Sequence, residues 1–426
     1  MPDAVRQAAL TKVRWRLIPF LFLLYIVAYL DRVNVGFAAI DMNRDLGFSA
    51  AVYGLGSGIF FLSYTLLEVP SNLMLARFGA RVWIARIMLT WGVLSSAMMF
   101  VDSAASFYVI RFLLGAAEAG FFPGIILYLT HWFPQQERAR AVGLFMTATA
   151  MAGVIGAPLS SALLRLDGVW GLQGWQWLFL IEGLPAILLV PLVLSYMTER
   201  PADAQWLSAD ERAWLVREME AENAESGQAI VTLRAALGTL RLWIIALPYF
   251  CIVIAFYGIT FFLPQIVQSM SSLSSATIVL LTAIPYVSAT IGLVVVGSRS
   301  DRMRERRWHV AGPCLIGAAG FVLTVLTPAT PAIALTTLSI AAFGIWGTLG
   351  PFWAIPTALL RGTAAAGGIA LVNSIGNVGG FVGPYLMGWI RDATGGFTAG
   401  LLTLAAILVI GAVIVLRLEQ PKERRV

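Results

Sequence analysis

Charge is scarce in this 426-residue chain: 12% of it is Asp, Glu, Lys or Arg, about half the usual share in a soluble globular domain. With 59% hydrophobic residues, that deficit excludes an ordinary water-soluble fold. Cysteine is nearly missing as well. Cys251 and Cys314 both fall inside apolar runs without metal-ligand company, so they read as core packing rather than a disulfide. His131 and His309 stand at the ends of apolar runs, which favours interfacial roles over a proton relay. There is no Walker pattern, no metal-ligand spacing and no nucleophile with a base. Neither an enzyme, a bound cofactor nor an ATP-driven pump is expected.

What the chain has in plenty is uninterrupted apolar sequence. Stretches of about 18 residues or more recur throughout, each long enough to cross ~30 Å of hydrocarbon as a helix. They do not alternate with period two, which removes a barrel. The first run follows Arg14, Trp15 and Arg16; it is too long for a signal peptide and lacks a small-residue cleavage site, so it is expected to remain as a helix. Hydropathy and helix breakers predict an all-α membrane protein with twelve spans: 17–41, 52–75, 82–101, 105–130, 139–165, 174–198, 241–268, 275–297, 309–327, 331–356, 363–390 and 397–417. The chain therefore divides into an N-terminal six-helix half (1–198), a hydrophilic linker (199–240) and a C-terminal six-helix half (241–426). In the linker, Ser208 precedes Glu211 by three residues, a capping-box signature for a surface helix.

The positive charge is distributed unevenly. If the N-terminus is cytoplasmic, 24 of the 29 Lys and Arg residues fall on the cytoplasmic side, as the positive-inside rule requires. Both termini are then cytoplasmic, and the formal charge of +6 reports topology and lipid-headgroup contact rather than nucleic-acid binding. The two halves also echo one another. "ARFGAR" (76–81) pairs with "SDRMRER" (300–306), and "GVIGAP" (153–158) with "GFVGP" (380–384), both at an offset of about 225 residues. Parallel repeats of this kind suit a transporter whose halves rock about a central substrate site.

The stretch "GSRSDR" (297–302) resembles the G-x-x-x-D-R loop signature of the major facilitator superfamily, while its first-half counterpart has Ala76 where the superfamily usually has Asp. More specifically, "YLDRVNVGFA", "EVPSNLML" and "RFLLGAAEAGFFPG" resemble the anion:cation symporter family, over essentially the whole chain. The resemblance implies a monomeric major facilitator fold in a bacterial inner membrane, importing an organic acid with protons; the first four spans look closest to tartrate-type transporters.

The few charges inside spans fit that expectation. Asp31 and Arg32 sit mid-span, and Arg111 and Glu118 are seven residues apart, on one helical face at a separation of ~10 Å. Tyr25, Tyr29 and Arg32 share a stripe, with Asp31 turned about 100° from it. An anion that sheds water needs a replacement for its hydration, which an arginine fork supplies. A coupling proton needs a carboxyl group whose ionisation responds to water and to a nearby cation. Arg32 with Tyr29 is therefore expected to face the substrate, Asp31 and Glu118 to carry protons, and Asp31 to face the helix that brings Glu118. Arg111 would modulate Glu118 or form part of an outer gate. The resemblance implies the same roles for Asp31, Arg32, Arg111 and Glu118. It adds Tyr64, Trp353, Asn373 and Asn377 as substrate ligands, although Tyr64 and Trp353 equally suit packing or interfacial anchoring.

Glu68, near the cytoplasmic end of its span, reads as a loop pairing or a gate, and Glu182 as a structural group without an evident partner. Gly258 and Pro264 are placed to break the seventh span beside Tyr257. Thr149, Gly350 and Phe352 stand where sugar-acid relatives carry more polar groups, which leans toward a shorter or aromatic acid. Two other readings stay open: an anion exchanger or drug/proton antiporter, and a non-transporting sensor, whose usual soluble extension is not evident in the short termini.

Overall fold

Inside hydrocarbon every backbone N–H and C=O must be bonded within the protein, which leaves a chain with these apolar runs little choice but helices. The computed structural model describes residues 2–225, 240–328, 330–359 and 363–418, and these form eighteen α-helices with no strand among the described residues.

The first run is α1 (Pro2–Leu46), followed by α2 (Ala50–Phe78) and α3 (Ala80–Ala97). The fourth expected span is bent into α4 (Ala104–Glu118) and α5 (Phe121–Thr130) by Gly120, whose φ of 87° lies in the left-handed region. A Cβ there would also sit 2.3 Å from Ser71 Oγ. The helix thus ends on Glu118 itself, a feature the unbroken apolar pattern does not announce. Next come α6 (Gln135–Met146), α7 (Ala148–Leu164), α8 (Gly174–Leu188) and α9 (Val190–Tyr196).

The linker helix α10 (Ala209–Glu225) carries the expected capping box: Ser208 N donates to Glu211 Oε2 (2.9 Å) and Glu211 N to Ser208 Oγ (3.3 Å). Lys12 Nζ on α1 pairs with the same carboxylate at 2.8 Å, which docks α10 at the N-terminal end of α1. Beyond it lie α11 (Leu240–Gln268), α12 (Ser275–Leu281), α13 (Ala283–Met303), α14 (Arg307–Leu326), α15 (Pro331–Gly347), α16 (Leu349–Leu359), α17 (Thr363–Thr394) and α18 (Thr398–Arg417). The break expected beside Tyr257 is not there: α11 runs unbroken through Gly258 and Pro264, and Gly258 sits against Leu404 of α18 rather than at a gap in packing.

Among the described residues, ten helical runs are long and apolar enough to cross a membrane. The fifth and eleventh expected spans, carried by α6–α7 and α17, are not among those ten. On the N-terminal side of the linker α1 lies on α7 and α8, α2 on α4 and α3 on α8; beyond it α11 lies on α17 and α18, and α15 on α13 and α14. Helices from before and after the linker also pack on one another: α2 on α17 most extensively, α7 on α12 and α13, and α1 on α11. The α2–α17 crossing is close because it is built on glycine: a Cβ on Gly388 would lie 2.1 Å from the Ala50 carbonyl oxygen, and one on Gly54 2.4 Å from that of Pro384. Cys251 and Cys314 are buried free thiols.

Candidate functional site

The mid-section of α1 is buried along its whole circumference, and its Asp31 and Arg32 therefore both need partners from other helices. Arg32 forms an ion pair with Glu118 Oε1 at the bend between α4 and α5. Its guanidinium lies 5.1 Å from the centre of the Tyr64 ring and 5.5 Å from that of Phe60, both on α2, and it lies beside Tyr257 on α11. One cation thus gathers α1, α2, α4 and α11.

Asp31 takes a different direction from the one helical spacing suggested. It accepts hydrogen bonds from Ser95 on α3 and from Asn34 one turn along α1 (3.3 Å), rather than facing the helix of Glu118. The 100° offset between neighbours was sound; what it left undetermined was which helix stands on which side of α1. Glu118 instead falls to Arg32.

Arg111 is fully buried. It donates to the carbonyls of Gly56 (3.3 Å) and Ser57 (3.2 Å) on α2, not to Glu118, and lies 4.9 Å from the centre of the same Phe60 ring that Arg32 approaches. Phe60 had no signal of its own among the many phenylalanines. Glu182 also has a partner that sequence spacing could not supply, the Ser160 hydroxyl of α7 at 2.6 Å.

One helical turn along α2 from Tyr64, the carboxylate of Glu68 reaches across to α17. Asn373 Nδ2 donates to Oε1 (3.0 Å) and Asn377 Nδ2 to Oε2 (3.4 Å). This corrects the loop pairing expected for Glu68: its partners are amides of α17, because the side chain points to the α2–α17 crossing rather than toward the loop. Trp353 joins the same region through Tyr249, whose ring centre is 4.9 Å from its own. Tyr249 in turn stacks on Phe352 at 4.8 Å and lies over Gly376, one turn from Asn373. A tyrosine in an apolar run gave no reason to be singled out.

Several buried polar atoms at this centre have no hydrogen-bond partner: Tyr29 Oη, Arg32 Nε, Asp31 Oδ2, Glu118 Oε2 and Tyr286 Oη. Buried groups of this kind are ordinarily satisfied, so donors and acceptors are available here to something that enters. No cluster of three His, Cys, Asp or Glu residues suited to a metal ion occurs among the described residues.

Outside the spans, burial would raise Glu305, but the backbone N–H groups of Trp308 and His309 and the His309 ring (2.8 Å) hold its carboxyl below the usual range.

The sequence model of the Major Facilitator Superfamily matches residues 21–368. A protein of Agrobacterium vitis named for tartrate transport is 50% identical over 422 residues, covering 99% of this chain and 96% of its own length. A quinolone resistance transporter of Acinetobacter baumannii is 40% identical, covering 94% of this chain and 93% of itself. Among solved structures, a bacterial homologue of the human lysosomal transporter Spinster, inward-facing and unoccupied, superimposes with a TM-score of 0.78 at 19% identity, over 95% of this chain and 96% of that one.

Proposed function

This chain belongs to the major facilitator superfamily as a multi-pass membrane transporter and not an enzyme, and on that premise we propose that it imports an organic anion together with protons. The reading has twelve spans in two six-helix halves (1–198 and 241–426) that alternate access across a bacterial inner membrane, with both termini cytoplasmic. The observation that carries it is the buried Arg32–Glu118 ion pair, with Asp31 adjacent to it. An acid and a base that satisfy each other can exchange partners: a substrate carboxylate takes the Arg32 fork as a proton takes Glu118. Substrate and proton then arrive together, because either alone leaves a buried charge unanswered.

In this reading Tyr29 and Tyr64 flank the anion at Arg32, while Asn373, Asn377 and Trp353 complete the site from α16 and α17. Asp31, held by Ser95, is the second proton site, and Arg111 sets the local potential without touching Glu118. The tartrate-named relative supports a short hydroxy acid as the substrate.

The test is accumulation of radiolabelled tartrate by proteoliposomes under an imposed pH gradient. The wild type concentrates it, while Asp31→Asn and Glu118→Gln equilibrate it without concentrating it. If both variants still accumulate against a gradient, the proton assignment is wrong.

A second reading, a drug/proton antiporter, is favoured by the quinolone resistance relative. Thermal stabilisation by lipophilic cations in place of carboxylates would select it. An anion exchanger is less well supported: no buried Lys or Arg occurs beyond the linker among the described residues, where a second cationic ligand would be expected.

A further inference from the structure

Both groups able to recognise an anion at this site are already holding carboxylates of the protein itself. Arg32 holds Glu118, and the Asn373–Asn377 amide pair holds Glu68. The two arrangements are one helical turn apart, since Arg32 lies over Tyr64 and Tyr64 and Glu68 are i and i+4 on α2, ~6 Å along the axis. On α17, Asn373 and Asn377 repeat that spacing and face the same way. Glu68 is 93% buried, so its charge rests on these amides rather than on water. The ionisable groups around it are Arg32 from α1, Tyr64 on its own helix and Tyr249 from α11; Arg32 is the one cation among them.

We propose that Glu68 sets the charge of the accepted ligand, its carboxylate occupying the place on Asn373 and Asn377 that the second carboxylate of a dicarboxylate must take. This rests on the organic-anion reading above and deepens it. A monoacid that binds through Arg32 leaves the Glu68 contact intact. A diacid has to displace Glu68 from the amide pair and then lie beside a like charge, a juxtaposition that costs affinity. Glu68 is a specificity-determining residue in this scheme, and the two amides are its target as well as the ligand's.

The experiment compares two four-carbon hydroxy acids of matched length, tartrate with two carboxylates and threonate with one. Dissociation constants come from thermal stabilisation of the purified full-length protein in detergent. Glu68→Gln keeps a hydrogen-bonding group of the same shape and removes the charge, and it should raise the tartrate-to-threonate affinity ratio about tenfold, as expected when one like-charge contact is lost. Asn377→Asp adds a negative charge at the same place and should lower the ratio, which gives an independent reading if Glu68→Gln folds poorly. A ratio that stays within about twofold of wild type in either variant, against the expected loss or gain of a like-charge contact, overturns the role of Glu68. Wild-type protein stabilised by neither acid overturns the organic-anion reading itself, so the two failures are distinguishable.

Discussion

Asp392 receives both leading backbone N–H groups of α2: its Oδ2 lies 2.7 Å from Ala51 N and its Oδ1 3.0 Å from Ala50 N, across 341 and 342 residues of sequence. A helix N-terminus offers unsatisfied donors and a positive dipole end, and here the side chain that answers them comes from α17, on the other side of the linker. Tyr53 adds a second tie by donating to the Phe261 carbonyl at 2.9 Å. The far end of the bundle from α10 is thereby closed. Losing a capping carboxylate costs roughly 1 kcal/mol, enough to shift a balanced equilibrium several-fold. Asp392→Asn is expected to raise the reaction rate of a water-soluble thiol reagent with a cysteine introduced as Val35→Cys, which is buried beneath this closure. An unchanged rate would show that Asp392 does not hold the end shut.

Gly388 makes a sharper demand on the same interface. Its missing Cβ would be 2.1 Å from the Ala50 carbonyl oxygen, a backbone atom that cannot move aside as a side-chain tip can. Gly388→Ala should therefore exclude the conformation described here rather than merely weaken it. Transport should be lost and labelling at Val35→Cys should rise further than with Asp392→Asn. Gly396→Ala is the control, since nothing lies within 4 Å of the position its Cβ would take.

The Arg32–Glu118 pair gives a prediction about stability with a definite sign. Removing one partner of a buried ion pair strands the other charge and typically costs about 3–5 kcal/mol. Arg32→Gln alone should lower the thermal midpoint strongly. The double variant Arg32→Gln with Glu118→Gln should recover much of that loss, because two neutral amides can bond each other. A double-mutant cycle by thermal unfolding measures it; additive losses would mean that the two side chains are not energetically paired.

Length, apolar runs and the uneven charge were enough to reach a helical membrane transporter, and Ser208 with Glu211 announced the cap of α10. Those features are local: each depends on residues within a turn or a span of one another. Asp31 shows where local reading stops. Its angle from Arg32 follows from helix geometry, but its partner, Ser95, is fixed by which helix packs beside α1. Glu68 is the same case over a longer separation. The pair of asparagines and the lone glutamate were each visible in the sequence, but their meeting across 305 and 309 residues depends on the α2–α17 crossing. Tyr249 and Phe60 gave no signal at all, since an aromatic residue in an apolar run is ordinarily packing.

The linker helix offers a test by pH away from the membrane. Burial would raise the Glu211 carboxyl, but Lys12 and the Ser208 backbone N–H outweigh it and hold it below its ordinary value of 4.5. A carboxyl depressed in the folded state is ionised there at a pH where the unfolded chain has begun to bind a proton. Its contribution is complete above about pH 5 and fades as the pH falls through the folded-state value. Amide exchange protection in α10, corrected for intrinsic rates, should therefore drop between about pH 5 and pH 3 in the wild type. Glu211→Gln should begin lower, by roughly 1 kcal/mol for the weakened cap and pairing, and remain flat over that range. A parallel decline in the two proteins would place the pH sensitivity of α10 in some other group.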